Sequence, residues 1–143
     1  MLRFVVQQHF RNEEDWHFDL MLECGDALVT FTSGVAPDET ASLPCLVRQV
    51  PDHRLAYLEY EGEISGGRGW CRIHDRGTFD WIEPDHLAKA AAKSAAGACV
   101  FADHILVRLD GQKATGVYRL TREPKSGTDY WRMRKESNEA TKS

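Results

Sequence analysis

The sequence predicts a mainly β protein, a compact antiparallel β-barrel of about eight strands with one short helix. Three observations lead to this fold class. Short β-rich runs recur along the 143-residue chain, turn residues separate them about every 8–12 residues, and a single stretch has the composition of a helix. We find no internal repeat and no linker. Residues 1–135 are therefore predicted to form one domain, and the polar residues 136–143 a disordered tail.

The first two predicted strands form a hairpin. Residues 1–9 are strand-like, residues 11–15 form a polar loop, and residues 16–23 form the second strand. Side chains alternate between the two faces of a strand. One face of the second strand is apolar and suited to a core: Trp16, Phe18, Leu20 and Leu22. The opposite face is more polar: His17, Asp19, Met21 and Glu23.

The remaining elements follow from turn residues and composition. Strands are predicted at residues 26–33, 46–50, 55–61, 70–75, 78–82, 99–109, 116–122 and 129–134. We interpret Arg76 and Gly77 as the turn of a hairpin, and Asp110 and Gly111 as another turn. The helix is predicted at residues 84–96, because proline stands at its start, alanine, leucine and lysine fill it, and glycine follows it.

Composition and charge exclude several classes of protein. The net charge is −4, and basic residues concentrate in residues 108–135. Arginine and lysine on outer strand faces account for this segment, and the chain lacks the charge of a tight, non-specific duplex binder. No apolar run approaches the roughly 18 residues that cross a membrane. The four cysteines contain no Cys-x-x-Cys pair. We expect a monomeric, cytoplasmic protein without membrane association.

Three residues of the first hairpin are candidate metal ligands. His17 and Asp19 project from the same face of one strand, about 7 Å apart at their Cα atoms. Antiparallel pairing across the short polar loop brings His9 beside His17. Two histidines and one carboxylate suit Mn²⁺, Fe²⁺ or Zn²⁺. The sequence therefore predicts a divalent-metal site made of His9, His17 and Asp19.

Other interpretations of these residues stay open from the pattern alone. A structural histidine, or a surface pair of histidine and aspartate, produces the same His-x-Asp spacing. A barrel-type Fe²⁺ oxygenase is another alternative, because His17, Asp19 and a distant His104 imitate a facial triad. The chain is short for that class.

Several motifs resemble the 3′-phosphoesterase domain of bacterial and archaeal DNA ligase D. The resemblance rests on FVVQQH at residues 4–9, HFDLMLE at 17–23, DHRLAYLEYEG at 52–62 and DRGTF at 75–79. Two closing elements at residues 116–120 and 131–135 also match. The matching motifs stand in one order and extend over about residues 3–135. The fold of this family, a compact β-barrel with little helix, agrees with the prediction made above from turns and composition.

The resemblance implies a Mn²⁺-dependent hydrolase of DNA repair that trims DNA 3′ ends, removing a terminal ribonucleoside and then the 3′-phosphate. Zn²⁺ is a possible substitute metal. By position, His9, His17 and Asp19 match the metal ligands. His53 matches the histidine that contacts the scissile phosphate, and Tyr57 a nearby tyrosine of the site. The implied partners are DNA 3′ ends or another phosphoester, and a DNA ligase or end-joining factor.

Four positions depart from the family pattern. Met21, Val35 and Cys45 stand where the family has cationic residues, and Pro51 stands where it has a glutamate. Arg48 is the nearest arginine to the position of Cys45, and Arg54, Arg68 and Arg72 could supply replacement cations. Each cation that is lost can lower the rate by about 10²–10³-fold. The alternative function is therefore a degenerate metal- or phosphate-binding module without turnover, serving in DNA repair assemblies.

Overall fold

The structure of the protein is a computed structural model that describes residues 1–40, 44–82 and 103–137. Nine strands are present in these residues: β1 (Leu2–Asn12), β2 (Asp15–Cys24), β3 (Ala27–Ser33), β4 (Cys45–Arg54), β5 (Gly62–Glu63), β6 (Trp70–Trp81), β7 (His104–Gly111), β8 (Thr115–Arg122) and β9 (Tyr130–Ser137). Two short 3₁₀ helices, Pro37–Glu39 and Leu55–Leu58, lie between strands. Within the described residues, no helix is long and apolar enough to span a membrane.

Eight of the strands close into an antiparallel barrel. The strand order is β1-β2-β3-β4-β9-β8-β7-β6-β5, and β1 also pairs with β6, which closes the sheet on itself. The two-residue β5 pairs only with the beginning of β6. Closure gives β1 a hydrogen-bonded neighbour on both sides. The predicted fold class, an antiparallel barrel of about eight strands, is confirmed.

The barrel interior is filled by apolar side chains from all eight of these strands. Phe4, Leu20 and Phe31 come from β1, β2 and β3, and Trp131 and Tyr118 come from β9 and β8. Each of these side chains is at most 2% exposed. On β2, the interior residues Leu20 and Leu22 belong to the face that the sequence analysis assigned to the core. The period-two pattern of β2 therefore sets which face points inward, but Trp16, predicted for the same core face, is 46% exposed.

A second, smaller apolar cluster lies on the outer side of the wall formed by β1, β2 and β3. Its buried members are Val5, Met21, Leu28 and Leu58, and Leu55, Tyr57 and Ile73 pack against them. The 3₁₀ helix Leu55–Leu58 contributes to this cluster and follows β4 directly. We call residues 51–69, which run from the end of β4 to the beginning of β6, the covering segment. It buries part of the outer face of the wall.

Two predicted elements are wrong. Residues 55–61 were predicted as a strand, but they form the 3₁₀ helix and a turn that cross the outer face of the barrel. Residues 70–82 were predicted as a hairpin about Arg76 and Gly77, but β6 is one continuous strand. Gly77 instead permits a close strand approach, because a Cβ there would lie 2.1 Å from the Asp110 carbonyl oxygen on β7.

The limits of other elements are also adjusted. β7 runs to Gly111, so Asp110 and Gly111 belong to the strand. The turn before β8 therefore begins at residue 112 and not at Asp110. β9 runs to Ser137, and Glu136 and Ser137 therefore belong to a strand rather than to the predicted tail. The predicted helix at residues 84–96 and the rest of the predicted tail lie outside the described residues.

Asp75 stabilises the turn between β7 and β8 from inside β6. Its side chain is 4% exposed. The two carboxylate oxygens accept hydrogen bonds from the backbone N–H groups of Arg76, Gln112, Lys113 and Ala114, over 2.7–3.1 Å. A buried carboxylate with four backbone donors is fully satisfied, and it fixes the backbone N–H groups of the turn. The DRGTF motif at residues 75–79 therefore has a structural role in this fold.

Candidate metal centre and phosphate cleft

The register of the first hairpin brings the three predicted metal ligands together. His9 on β1 stands directly opposite His17 on β2, and Gln7 stands opposite Asp19. The rings of His9 and His17 are 4.8 Å apart at their centroids and nearly perpendicular. One potential ligand atom from each of His9, His17 and Asp19 lies within 4.8 Å of the other two. All three side chains project from the outer side of the barrel, opposite the interior core.

Hydrogen bonds orient two members of this cluster, Asp19 and His9. The Thr32 hydroxyl on β3 donates to Asp19 Oδ1 over 2.6 Å. His17 Nε2 lies 3.2 Å from the same carboxylate oxygen. The Arg68 carbonyl oxygen lies 2.8 Å from His9 Nε2, which must carry the hydrogen because a carbonyl oxygen only accepts. Partners of this kind fix the orientation of metal ligands in proteins.

The donor set and its spacing fit a divalent cation. A metal about 2.1 Å from each ligand atom in octahedral geometry separates adjacent ligand atoms by about 3 Å and opposite ones by about 4.2 Å. The 3.2 Å between His17 Nε2 and Asp19 Oδ1 has the length of an adjacent pair. The largest separation in the cluster, 4.8 Å, requires an inward movement of about half an ångström. The three residues could therefore hold Mn²⁺, Fe²⁺ or Zn²⁺.

A cleft of about 460 Å³ opens beside this cluster. Twelve residues line it: Gln7, His9, Asp19, Met21, Pro51, Asp52, His53, Arg54, Tyr57, Ile64, Arg68 and Cys71. The cleft therefore joins two of the candidate metal ligands to His53, Tyr57 and Arg54, the three residues predicted to act on the phosphate. A volume of this size accommodates a small ligand such as a terminal nucleotide.

The phosphate-side residues come from the end of β4 and from the covering segment. The Pro51 carbonyl oxygen accepts a hydrogen bond of 2.9 Å from His53 Nδ1. In the neutral ring, Nε2 therefore carries no hydrogen. The His53 ring meets the Tyr57 ring edge to face at 5.8 Å between centroids. The Arg54 guanidinium lies over the same tyrosine, 5.9 Å from its ring centroid. Tyr57 thus supports both His53 and Arg54.

Gln7 belongs to the cleft, although it is not among the site residues predicted from the sequence. It is 1% exposed, and its side-chain N–H₂ donates to the carbonyl oxygens of Tyr57 and Tyr60 over 2.9 and 2.8 Å. These bonds attach the covering segment to β1. Oε1 of Gln7 is buried and has no hydrogen-bond partner within the described residues. Its position two residues before His9, on the same strand face, was the signal available in the sequence.

The departures from the family pattern fall in different places. Met21 and Pro51 line the cleft, so the family's arginine and glutamate are replaced at the site itself. Val35 and Cys45 do not line it. Arg48 lies on β4, directly opposite Thr32 of β3, whose hydroxyl donates to Asp19. It is therefore two strands away from the Asp19 carboxylate on β2.

The three candidate replacement cations separate into two groups. Arg54 and Arg68 line the cleft. Arg72 lies elsewhere, because its Nε donates to Gln8 Oε1 over 3.3 Å and its guanidinium lies over the Phe10 ring. Cys71 also lines the cleft, 3% exposed, and burial raises the pKa of its thiol. The thiol is therefore neutral at neutral pH.

The alternative triad of an Fe²⁺ oxygenase is not assembled. His104 is exposed at the beginning of β7 and pairs with Thr121 on β8. Two strands, β1 and β6, separate β7 from β2, which carries His17 and Asp19. Among the described residues, His9 and not His104 is the third potential ligand beside His17 and Asp19.

Three of the eight arginine and lysine residues at positions 108–135 pair with carboxylates of the described residues. Arg119 pairs with Glu136 at 3.2 Å, and Arg132 with Glu123 at 3.4 Å. Arg122 pairs with Asp103 at 3.4 Å. Exposed pairs of this kind contribute little to stability, but they reduce the positive charge that the surface presents. The placement agrees with the prediction that these cations cover outer strand faces.

Comparison with known proteins identifies the family. A sequence profile of the DNA Ligase D 3′-phosphoesterase domain matches residues 7–122. The chain belongs to this family. It is 30% identical over 125 residues to the multifunctional non-homologous end joining protein LigD of Pseudomonas aeruginosa, which covers 85% of the chain. It is also 30% identical over 122 residues to the multifunctional non-homologous end joining DNA repair protein LigD of Mycobacterium tuberculosis, which covers 83% of the chain.

The relatives are much longer than the matched segment. The LigD protein of Mycolicibacterium smegmatis is 29% identical over 124 residues, covering 82% of the chain and 15% of that relative. The corresponding shares of the Pseudomonas and Mycobacterium tuberculosis proteins are 13% and 14%. The match is therefore to one domain of a multidomain protein. The resemblance first drawn from the motifs is confirmed at the level of this 3′-phosphoesterase domain.

Proposed function

We propose that the protein is a divalent-metal-dependent phosphoesterase of DNA repair that removes phosphate or a ribonucleotide from DNA 3′ ends. The observation that carries this proposal is the shared cleft. It contains His9 and Asp19 of the candidate metal cluster together with His53 and Arg54, the groups suited to a phosphate. Family membership supports the reaction class.

His9, His17 and Asp19 would hold the metal, and Mn²⁺ is the ion proposed. When bound, the metal supplies Lewis-acid polarisation of a phosphoryl oxygen and lowers the pKa of a coordinated water. Thr32 holds the Asp19 carboxylate in place, because its hydroxyl occupies one acceptor position of Oδ1. The fixed strand pair limits the movement of both histidines, and a preorganised site avoids reorganisation during the reaction.

His53 and Arg54 would bind the phosphate. With Nδ1 directed at the Pro51 carbonyl oxygen, protonated His53 presents an N–H at Nε2 to a phosphoryl oxygen or to the leaving oxygen. Arg54 presents a planar guanidinium beside Tyr57, and arginine binds phosphate oxygens through parallel N–H groups. Tyr57 restricts the rotation of both side chains. Removal of a 3′-phosphate would break the P–O bond to the 3′ oxygen of the strand, and removal of a terminal ribonucleoside would break the P–O bond to the 5′ oxygen of that ribonucleoside. In both reactions water would supply the new oxygen on phosphorus and the leaving oxygen would take a proton.

The decisive experiment is a release assay on DNA strands with a 3′-phosphate or a 3′-ribonucleotide, with and without Mn²⁺. We expect Mn²⁺-dependent release by the unchanged protein and a loss of about 10²-fold or more for His9→Ala and His53→Ala. Arg72→Ala is the matched control, because its side chain lies outside the cleft. Release that does not need a metal, or that survives His9→Ala, would contradict the proposal.

A second function has a specific observation in its favour. Met21 is 2% exposed in the outer apolar cluster, where the family pattern has an arginine. A thioether cannot make the bidentate contacts of a guanidinium. The alternative is therefore a metal- or phosphate-binding module that takes part in repair without turnover. Binding of a 3′-phosphorylated strand without any release in the assay above would favour it.

The partners follow from the same reasoning. The relatives are named as end-joining proteins, so a DNA ligase or another end-joining factor is the proposed protein partner. A DNA 3′ end also agrees with the cytoplasmic location expected from the sequence. A pull-down with a purified end-joining ligase tests this association, and the same protein without a tag serves as the competitor.

A further inference from the structure

The loop at residues 64–69, between β5 and β6, lies against the candidate metal centre. Its ends are joined by a hydrogen bond of 2.8 Å from the Ile64 N–H to the Gly69 carbonyl oxygen. Ile64 and Arg68 of this loop line the cleft that contains His9 and His53. Through these two residues the glycine-rich loop contacts the candidate site.

Gly69 fixes the loop against β1. Its φ angle is +91°, and a Cβ at this position would lie 1.8 Å from the Phe10 carbonyl oxygen. Only glycine fits such an approach without moving the backbone. Phe10 follows His9 directly in the sequence, and Arg68 directly precedes Gly69. The contact between Gly69 and Phe10 therefore holds Arg68 beside His9.

The backbone of Arg68 sets the orientation of His9. Its carbonyl oxygen accepts the hydrogen of His9 Nε2 over 2.8 Å. In the neutral ring, Nδ1 is then the nitrogen with a free lone pair. A hydrogen bond to the second ring nitrogen is the usual means by which a protein fixes the tautomer of a metal-binding histidine. The loop thus decides which nitrogen of His9 is available to a cation.

The side chain of Arg68 faces the cleft as a restrained cation. Its Nε donates to the Ser65 carbonyl oxygen over 2.7 Å, and its Nη2 donates to Ser65 Oγ over 3.2 Å. Within the described residues, neither Arg68 nor Arg54 forms an ion pair with a carboxylate. Two guanidinium groups in one cleft without carboxylate partners are suited to an anion.

We propose that Arg68 contributes twice to the site: its carbonyl group positions His9 for the metal, and its guanidinium binds the substrate phosphate. This proposal deepens the proposed function and rests on it for the nature of the substrate. The anion is a phosphate group bound between the metal cluster and the cations of the cleft. Arg68 and Arg54 together replace the cation that the family pattern has at Met21. Arg68 is therefore a specificity residue through its side chain and a positioning residue through its backbone.

Two variants separate these roles in the full chain. Arg68→Ala removes the guanidinium and keeps the carbonyl group, and Gly69→Ala keeps the guanidinium and displaces the carbonyl group. Titration calorimetry measures the Kd for Mn²⁺ and, in the Mn²⁺-loaded protein, the Kd for inorganic phosphate. Arg72→Ala is the control, since its guanidinium contacts Gln8 and Phe10 instead.

We expect Arg68→Ala to raise the phosphate Kd about tenfold or more and to leave the Mn²⁺ Kd within about twofold. We expect Gly69→Ala to raise the Mn²⁺ Kd about tenfold or more. The unchanged metal-free protein should show the Nε2–H tautomer of His9 in ¹⁵N NMR spectra, a result that needs no variant to fold. Unchanged phosphate binding in Arg68→Ala, or an Nδ1–H tautomer of His9, would overturn the proposal.

The binding measurements also distinguish this inference from the proposed function. If Mn²⁺ and phosphate bind as expected but no 3′ end is processed, the phosphoesterase activity is refuted and the role of Arg68 is supported. If 3′ ends are processed and Arg68→Ala binds phosphate normally, the role of Arg68 is refuted alone.

Discussion

The two faces of β2 are both buried at their centre, but for different reasons. On the inner face, Leu20 and Leu22 are 2% and 0% exposed because the other strands of the barrel surround them. On the outer face, Asp19 and Met21 are 4% and 2% exposed, and the covering segment contributes to the cleft and cluster in which they lie. Burial of the inner face is a property of the barrel. Burial of the outer face depends on the residues that form the candidate site.

This difference separates stability from binding along a single strand. A change on the inner face creates a cavity in a core that cannot relax fully, and it lowers the free energy of unfolding. A change at the polar end of the outer face removes a ligand or an orienting partner and leaves the core intact. Four substitutions, at Leu20, His17, Met21 and Glu23, test this separation.

The largest effect is expected on the inner face. Leu20→Ala should lower the free energy of unfolding by about 2–5 kcal/mol, because a fully buried side chain is truncated among packed neighbours. Urea unfolding measures this change. The folded fraction should bind Mn²⁺ with a Kd within about twofold of the unchanged protein. A loss of metal affinity in the folded state, without loss of stability, would mean that the two faces are not independent.

The second effect is expected on metal binding. His17→Ala should raise the Mn²⁺ Kd by about 100-fold or more, since even the loss of an outer partner of a ligand costs about 10–100-fold. The imidazole is partly exposed, so the melting temperature without metal should change little. Mn²⁺ should raise the melting temperature of the unchanged protein and not that of the variant. Equal Mn²⁺ stabilisation of both proteins would rule out His17 as a ligand.

The third effect tests the apolar half of the outer face. Met21→Arg places a guanidinium among the apolar side chains of Val5, Leu28 and Leu58. We expect a loss of about 2 kcal/mol in the free energy of unfolding and no gain in 3′-phosphate release. Met21→Leu, which conserves volume, is the control and should cost less than about 1.5 kcal/mol. Faster release by Met21→Arg would show that the cleft still accepts the family's arginine.

The smallest effect concerns the far end of the same outer face. Glu23 accepts hydrogen bonds from the backbone and guanidinium N–H groups of Arg3, and the pKa of its carboxyl group is lowered, chiefly by the side-chain hydrogen bond. A lowered pKa in the folded state stabilises the protein above the ordinary value for glutamate, and this stabilisation is lost as the pH falls through the lowered value.

Unfolding followed between about pH 6 and pH 3 measures this contribution. Glu23→Gln should flatten the pH dependence slightly at the acidic end and leave stability at neutral pH nearly unchanged, because the pair is exposed. A Glu23→Gln variant with the same acidic slope as the unchanged protein would assign the pH dependence to other carboxylates.

The candidate metal cluster was predictable because its geometry is local. His9, His17 and Asp19 lie on one hairpin, and the period of two together with a short loop suffices to bring them together. The barrel was predictable for a similar reason, since short β-rich runs with regular turns favour a closed antiparallel sheet. Placement of His53, Tyr57 and Arg54 in the same cleft required the family resemblance, because no local pattern connects β4 with β1.

The errors have physical causes at particular residues. Gly77 resembles a turn residue in the sequence, but its lack of a side chain serves the close approach of β7. Residues 55–61 have the aromatic composition of a strand, and Leu58 and Tyr57 instead cover the outer apolar cluster. Gln7 and Arg68 acquire their roles through contacts with residues about 50–60 positions away, which a single sequence does not reveal.

The closure of the barrel by β1 and β6 implies an order in which the site is assembled. The three candidate ligands lie within one hairpin, and hairpins form in about 1–10 μs. The cations of the cleft arrive with the covering segment, whose position depends on pairing between strands about 70 residues apart, and such distant pairing is slow. A folding chain would therefore assemble the candidate metal ligands before the cleft beside them exists. Metal present during refolding should accelerate the early steps and leave the formation of the pocket as the late one.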